Sequence, residues 1–299
     1  MIEVSVIITT KNEEKHIRNC LQSIMNQDFD QSRIENIVVD NDSTDNTKVI
    51  AKEFTENVYD FGPERSAQRN FGVSRSNGKY ILYLDADMIL AENVIGECVE
   101  KCEKENLIAL YIPERIVNLP SDQSFNQCNQ VCNLCNHLPK PGFWNKVRNF
   151  ERSFYDATDI DCVRFVARDV FNKLNGFDES LTGPEDWDFD RRAKELGKTD
   201  IIRASLSHNE GQFRLFPYLA KKSYYSAAFI SYIHKWGRND RIIKKQLGLA
   251  YRFFGVFFEN GKWKKLMMHP VLTLGMYFLR GLVGAVFLSQ KARNKKCIT

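Results

Sequence analysis

The chain is 299 residues long, 43% apolar and 12% aromatic, which suffices for one large domain with its own core and an appendage. Eight cysteines lie scattered at positions 20, 98, 102, 128, 132, 135, 162 and 297, and Met1-Ile2-Glu3-Val4 runs straight into a strand-like segment without a basic leader. This argues against a disulfide framework and an export signal, and for free thiols. The net charge of +4 hides an asymmetry: residues 211–299 carry 17 Lys and Arg against two acids, Asp240 and Glu259, for +15, whereas residues 1–210 amount to −11. A basic, aromatic tail on an acidic body is expected to seek an anionic surface, lipid headgroups or nucleic acid.

Val4-Ser5-Val6-Ile7-Ile8 reads as a buried strand, and Ile17, Leu21 and Ile24 follow at helical spacing. Ile37-Val38-Val39 is a second strand. Asp42-Ser43-Thr44-Asp45 has the composition of a turn and helix cap, with Val49, Ile50 and Phe54 predicted on the inner face of the helix. A short third strand is predicted over 57–61, a helix over 64–76 and the central strand over 80–84. Val94, Ile95, Cys98, Val99 and Cys102 mark another helix before a strand over 107–112. The alternation predicts an α/β fold, a mostly parallel sheet with helices on both faces, whose ligands bind beyond the carboxyl ends of the strands. Residues 113–160, with Pro113, Pro120, Pro139 and Pro141, break the rhythm and are predicted to form a long, partly helical insertion. Residues after 210 read as helices, and no internal repeat is evident.

Asp85-Ala86-Asp87 closes the apolar run Tyr80-Ile81-Leu82-Tyr83-Leu84. Two carboxylates one residue apart at a partly desolvated strand end repel each other, and a divalent cation removes that cost. Hard oxygen ligands suit Mg²⁺ or Mn²⁺, which bridge one or two carboxylates to substrate phosphates. Asp40 and Thr10-Lys11-Asn12-Glu13 fall at neighbouring strand ends. Arg65 and Arg69, four apart on one helical stretch with Gln68, are either a guanidinium pair for a diphosphate or an exposed basic face. Glu185-Asp186, next to Trp187, is a second acidic pair, suited to general-base work. His208 reads as a cation ligand or a structural histidine.

Several blocks resemble, in order, the family 2 glycosyltransferases. They are Val6-Ile7-Ile8-Thr9-Thr10-Lys11-Asn12-Glu13; Val38-Val39-Asp40-Asn41-Asp42-Ser43-Thr44-Asp45; Arg69-Asn70-x-Gly72 with Tyr80–Asp87; and Asn175-Gly176-Phe177-Asp178-Glu179 leading into Glu185-Asp186-Trp187-Asp188. They span residues 4–197, about two-thirds of the chain. The resemblance implies the GT-A nucleotide-diphospho-sugar transferase fold with a helical C-terminal extension. It implies an inverting, metal-dependent, hexosyltransferase-type enzyme of glycan biosynthesis, moving sugar from a UDP- or GDP-sugar to a saccharide or polyprenyl-linked acceptor. Asp87, supported by Asp85 and by His208, would hold Mg²⁺ or Mn²⁺. Asp40 would lie near the nucleobase and ribose. Thr10, Asn12, Glu13, Asn41, Arg65, Arg69, Asp85 and Ala86 would contact the nucleotide sugar. Asp186 maps onto the general base and Glu185 onto a residue that orients the acceptor or caps the helix. Asn41 stands where many relatives have Asp, and Asp42 where Gly is frequent, which leaves the recognised base open. The implied organisation is a catalytic unit over 1–210, with a nucleotide half 1–112 and an acceptor half 113–210, and a membrane-associating extension over 211–299.

Cys128, Cys132 and Cys135 form C-x3-C-x2-C with His137 nearby, a spacing seen in metal sites. At helical spacing the three simply share a face, and no metal is assigned to them. Val271–Leu288 is 18 residues with one charge, Arg280, and is flanked by basic residues on both sides. As a helix it is about 27 Å long, short for a ~30 Å hydrocarbon core, and a central Arg costs ~2.5–3.5 kcal/mol on insertion scales. It is predicted to lie in the headgroup interface at the cytoplasmic face, the alternative being a helix buried on the catalytic body. A sugar-phosphate nucleotidyltransferase would carry a Gly-rich loop after the first strand, and this chain has no glycine there. A non-catalytic binding module would not need both acidic pairs. The expected partners are therefore donor, acceptor and bilayer, without nucleic acid.

Overall fold

The computed structural model describes residues 1–119 and 141–296, with side chains described outside 224–228 and 290–296. Cys128, Cys132, Cys135 and His137 lie outside the described residues. The central sheet is built from β1 (Val4–Thr10), β2 (Ile34–Asp40), β3 (Val58–Asp60), β4 (Tyr80–Asp85), β6 (Ala109–Tyr111), β8 (Phe165–Ala167) and β9 (Thr199–Ile201). Its spatial order is β3-β2-β1-β4-β8-β6-β9. A smaller sheet joins β5 (Met88–Leu90), β10 (Leu206–Asn209) and β7 (Glu114–Val117). β1 runs parallel to β2 and β4, and β8 runs antiparallel between β4 and β6. The mostly parallel sheet expected from the alternation is present, with one reversed strand at its centre.

β1, β2 and β4 read as unbroken apolar runs because helices cover both faces. Val4, Val6 and Ile8 pack with residues of α1 (Ile17–Met25) and α4 (Val94–Glu105). Ile7, Val39, Ile81 and Tyr83 pack with Val73 of α3 (Arg65–Ser74), Phe171 of α6 (Arg168–Lys173) and Phe189 of α7 (Glu185–Leu196). Each such side chain contributes roughly 1.5–3 kcal/mol when fully buried. The helix α2 (Thr47–Ala51) is shorter than its pattern suggested: it turns Thr47 and Ala51 inward and leaves Val49, predicted on the inner face, exposed.

One glycine sets the position of α3. A Cβ on Gly72 would lie 2.4 Å from Ile7 Cγ2, so only glycine lets the helix sit this close to β1. The approach carries Gln68 to the strand ends, where Nε2 donates to the carbonyls of Thr10 (3.1 Å) and Val39 (2.7 Å). Asn70, in the same block, accepts from Phe177 N (2.8 Å) and donates to Phe177 O (2.9 Å). Two sequence blocks about a hundred residues apart are thereby tied together.

The C-terminal helices are α8 (Leu215–Trp236), α9 (Arg241–Leu247), a π-helical turn Tyr251–Gly255 running into Val256–Phe258, α10 (Trp263–Met268) and α11 (Pro270–Lys296). α11 docks against α5 (Phe143–Arg152), burying Met276 and Leu279 beside Val147 and Phe154. Arg280 goes inside with them. Its Nη1 donates to Glu151 Oε1 (2.5 Å) and Tyr155 Oη (2.6 Å), and its Nη2 to the Arg252 carbonyl. Other tail cations also meet acids of the body: Lys235 pairs with Asp178 (2.6 Å) and Asp188 (2.8 Å), and Lys245 with Asp159 (2.5 Å). Part of the charge asymmetry is thus answered within the molecule. The far side of α11 and its neighbours still exposes Trp263, Met267, Met268, Val271 and Leu274.

Candidate active site

From β1 the chain proceeds to β2 and β3 on one side, and β4 lies on the other, so the connections diverge at the carboxyl ends of β1 and β4. Open α/β sheets bind ligands at such a point. A cavity of about 350 Å³ lies here, with Thr10, Asn41, Arg65, Asp85, Asp87 and His208 among its walls, together with Glu13, Gln68 and Ala86.

The two carboxylates of the acidic turn have different partners, which removes most of their mutual repulsion. Asp85 Oδ1 accepts from Thr9 Oγ1 (3.0 Å) and Arg69 Nη2 (3.1 Å), and Oδ2 from Arg65 Nη1 (3.4 Å). Burial alone would raise its pKa; Arg69 and Arg65 outweigh it and hold the carboxyl well below the usual range. Asp87 instead faces the second sheet. Antiparallel pairing of β5 with β10 sets His208 opposite Met88, and Asp87 Oδ2 meets His208 Nε2 at 3.0 Å. The other imidazole nitrogen meets Glu114 Oε1 at 2.9 Å, an outer carboxylate that orients the ring. Burial would lower the His208 pKa, but Asp87 and Glu114 together raise it well above the usual imidazole value. Asp87 Oδ1 is buried with no hydrogen-bond partner. An oxygen in that condition beside an oriented imidazole suits Mn²⁺ or Mg²⁺, although no group of three or more His, Cys, Asp or Glu is set to hold a metal among the described residues. Asp85, its oxygens given to the arginines and Thr9, supports the turn rather than offering a lone pair.

Arg69 departs from the expectation of a guanidinium facing a diphosphate. Its side chain is 1% exposed, lies over the rings of Tyr83 (4.8 Å) and Phe177 (5.1 Å), and bridges Asp85 to Asp186, with Nη1 donating to Asp186 Oδ1 at 2.6 Å. Arg65 does reach the cavity, while also holding Glu185 Oε1 at 3.0 Å. Glu185 and Asp186 open α7, where backbone N–H groups favour negative charge. Burial and the adjacent Asp186 raise the Glu185 pKa, and Glu185 lines neither cavity while holding Arg65. Asp186 lies on the wall of a second cavity, about 380 Å³, lined by residues of α5, α7, α8, the π-helical turn and α11. The chain Asp85–Arg69–Asp186 therefore runs from one cavity to the other through the core.

The loops after β1 and β2 are clamped together. Asn12, at φ 54°, donates its N–H to Ser43 Oγ (2.7 Å) and accepts from Thr44 N (2.9 Å). Asp40 is fully buried, and its carboxylate accepts from Ser43 N and Ser43 Oγ, both at 2.6 Å. Asp40 and Asn12 thus shape the rim without lining the cavity. Glu13, Asn41 and Thr10 do line it, and Thr10 Oγ1 is buried without a partner.

The family model described as Glycosyl transferase family 2 matches residues 5–174. The chain belongs to glycosyltransferase family 2. It is similar to a probable glycosyltransferase, YdaM, of Bacillus subtilis, 38% identical over 208 residues, 65% of this chain and 47% of that protein. It is also similar to the dolichyl N-acetyl-alpha-D-glucosaminyl phosphate 3-beta-D-2,3-diacetamido-2,3-dideoxy-beta-D-glucuronosyltransferase of Methanococcus voltae, 29% identical over 109 residues, 34% of each. The matches span less than half the length of these curated relatives. Among solved structures, the mannosyltransferase PcManGT of Pyrobaculum calidifontis in complex with GDP-Man and Mn²⁺ aligns over 99% of this chain and 80% of its own, with a TM-score of 0.55 at 17% identity. The fold is GT-A.

Within this family 2 chain, sequence reasoning missed Glu114, the partner of His208, and the arginines Arg148, Arg152 and Arg164 around the second cavity. No periodicity marks them. A single charge inside an apolar helix, as at Arg280, was the one signal that a buried counter-charge had to exist.

Proposed function

We propose that this chain is an inverting glycosyltransferase that moves a sugar from a UDP- or GDP-sugar to a hydroxyl of a lipid-linked saccharide at a membrane surface. The observation that carries the reading is the buried Asp85–Arg69–Asp186 bridge between two cavities, one with a candidate cation site and one with a carboxylate on its wall. The donor occupies the first cavity, with Thr10, Glu13, Asn41 and Arg65 beside it. Asp87 and His208 would hold Mg²⁺ or Mn²⁺, which neutralises the leaving diphosphate when bound. Asp186 takes the proton of the acceptor hydroxyl as its oxygen bonds to the anomeric carbon. The bond from that carbon to the β-phosphate oxygen breaks, and nucleoside diphosphate leaves from the opposite face, which inverts the configuration. Arg69, donating to Asp186 Oδ1 at 2.6 Å, holds that carboxylate in place. Support comes from PcManGT, bound to GDP-Man and Mn²⁺, and from the archaeal relative, named for a dolichyl-linked acceptor.

Residues 1–210 serve as the catalytic unit. Residues 211–296 close the acceptor side and rest on the cytoplasmic face of a bilayer through the exposed apolar residues of α10 and α11. The stretch Pro270–Ser289 is long and apolar enough to cross a membrane by length and composition, but Arg280, paired to Glu151 inside the protein, holds it on the body. The test is release of nucleoside diphosphate from a panel of UDP- and GDP-sugars, with and without Mn²⁺, in the presence of membrane lipid extract. Release from one donor, abolished by chelator and by Asp87→Asn, is expected. Undiminished release in excess chelator overturns the metal assignment, and no release from any donor overturns the transfer.

A further inference from the structure

The second cavity has a lining that proton transfer at Asp186 does not require. Six cations, Arg148, Arg152, Arg164, Lys222, Arg252 and Arg280, line it against three acids, Glu151, Asp161 and Asp186. Glu114 and Glu210 reach some of these cations from outside the cavity: Arg152 and Arg164 each meet Glu114 at 3.2 Å, and Arg148 meets Glu210 at 3.1 Å. These pairs do not use up the donors. Arg148 Nε, Arg152 Nη1, Arg164 Nη1 and Arg280 Nε are buried without a hydrogen-bond partner. Arg148, Arg164 and Arg280 are at most 8% exposed, and Lys222 has no carboxylate partner among the described residues. Buried guanidinium N–H groups are costly to leave unpaired, and their planar forks match phosphate oxygens.

The remainder of the lining differs in kind. Leu249, Phe253, Val283, Val286 and Phe287 form an apolar wall, largely from α11, while Trp187 stands next to Asp186 in sequence and lines the same space. An anion-binding end, an aromatic ring and a hydrocarbon-compatible wall share one cavity with the carboxylate.

We infer that this cavity binds the phosphate or diphosphate of a lipid-linked acceptor. The arginine donors hold the anion, the hydrocarbon lies along α11, and the sugar hydroxyl reaches Asp186. The inference rests on the transfer proposed above and deepens it by naming the acceptor's anchoring group. The phosphate anchors and does not react. A soluble phosphate ester would share the anion chemistry, but the apolar wall favours the lipid.

Binding is read by tryptophan fluorescence, with Trp187→Phe identifying the signal from this cavity. The probes are farnesyl diphosphate, farnesol and inorganic pyrophosphate, each titrated with and without Mn²⁺ and UDP or GDP. The nucleotide titrations are recorded in parallel, so that a failed donor site is seen separately from a failed acceptor site. Farnesyl diphosphate is expected to bind at least tenfold more tightly than either farnesol or pyrophosphate, and to remain bound when nucleotide fills the first cavity. Lys222→Gln, on an accessible helix face, and Arg148→Gln should each weaken both phosphorylated probes about fivefold or more. Val283→Trp should weaken farnesyl diphosphate tenfold and leave pyrophosphate within twofold. Competition between nucleotide and farnesyl diphosphate overturns the inference, as does indifference to Lys222→Gln and Arg148→Gln in variants that melt like the parent. Equal affinity for pyrophosphate and farnesyl diphosphate overturns the lipid as the source.

Discussion

Glu151→Gln isolates the ion pair that holds the C-terminal helix to the catalytic body. Glu151 is buried and receives Arg280 Nη1 at 2.5 Å, Arg148 Nη1 at 3.1 Å and Tyr155 Oη at 2.6 Å. Burial alone would raise its pKa; Arg280 and Arg148 reverse this and bring it down from its ordinary 4.5 to about 2. A depressed acid stabilises the fold above its unfolded-state pKa and loses that contribution as pH falls toward the folded value. At about 1.4 kcal/mol for each tenfold step, the carboxylate contributes on the order of 3 kcal/mol at pH 7. This agrees with the roughly 3–5 kcal/mol typical of removing one member of a buried pair. Urea unfolding at pH 7 should therefore show Glu151→Gln destabilised by about 3 kcal/mol, a loss of roughly 6–12 °C in Tm. The wild-type advantage should shrink by about 1 kcal/mol between pH 7 and pH 3.5, because in that interval chiefly the unfolded carboxyl takes up a proton. A loss below 1 kcal/mol, or an advantage constant with pH, refutes the argument that this carboxylate is held ionised by Arg280 and Arg148.

Arg69→Gln should destabilise by roughly 3 kcal/mol, since the buried guanidinium is lost and the half-buried Asp85 and Asp186 are left without their shared partner; nucleoside diphosphate release should fall even under conditions where calorimetry reports a folded protein. Asp87→Asn should remove the Mn²⁺-induced rise in Tm that the parent shows, while circular dichroism reports an unchanged fold. Liposome flotation should require anionic lipid and weaken in high salt, and Met268→Glu with Leu274→Glu should abolish it. Carbonate-resistant association would instead mean that α11 inserts deeply.

The fold was legible because its signals are local. Apolar runs at β1, β2 and β4, helical spacing in α1 and α4, and the acidic turn at Asp85-Ala86-Asp87 follow from neighbours in sequence. The direction of Arg69 was not legible. Spacing puts Arg65 and Arg69 on one side of α3, but Gly72 brings the helix onto β1, and the counter-charge arrives from Asp186, 117 residues away. Asp40 was placed correctly at a strand end, yet its carboxylate is consumed by the Ser43 turn, a choice made by loop geometry. The basic tail was legible only in part. Its excess charge suggested an external anion, and the sequence did not show that Lys235, Lys245 and Arg280 are drawn to acids of the body. Net charge reports how much there is, and only packing decides who receives it. The second cavity was hidden for the same reason, being assembled from α5, α7, α8, the π-helical turn and α11, with the intervening loop between Ile160 and Arg164.

The role of Asp186 is tested most directly by single-turnover transfer with Asp186→Asn, alongside donor binding in the same preparation. Loss of a positioned base costs 10²- to 10⁴-fold in rate. The variant should bind nucleotide and Mn²⁺ as the parent does, and its transfer step should slow by about that factor, with the wild-type product inverted at the anomeric carbon. Transfer within fivefold of wild type, in a variant that binds donor normally, would contradict the assignment of the base and with it the function proposed for the bridge from Asp85 through Arg69.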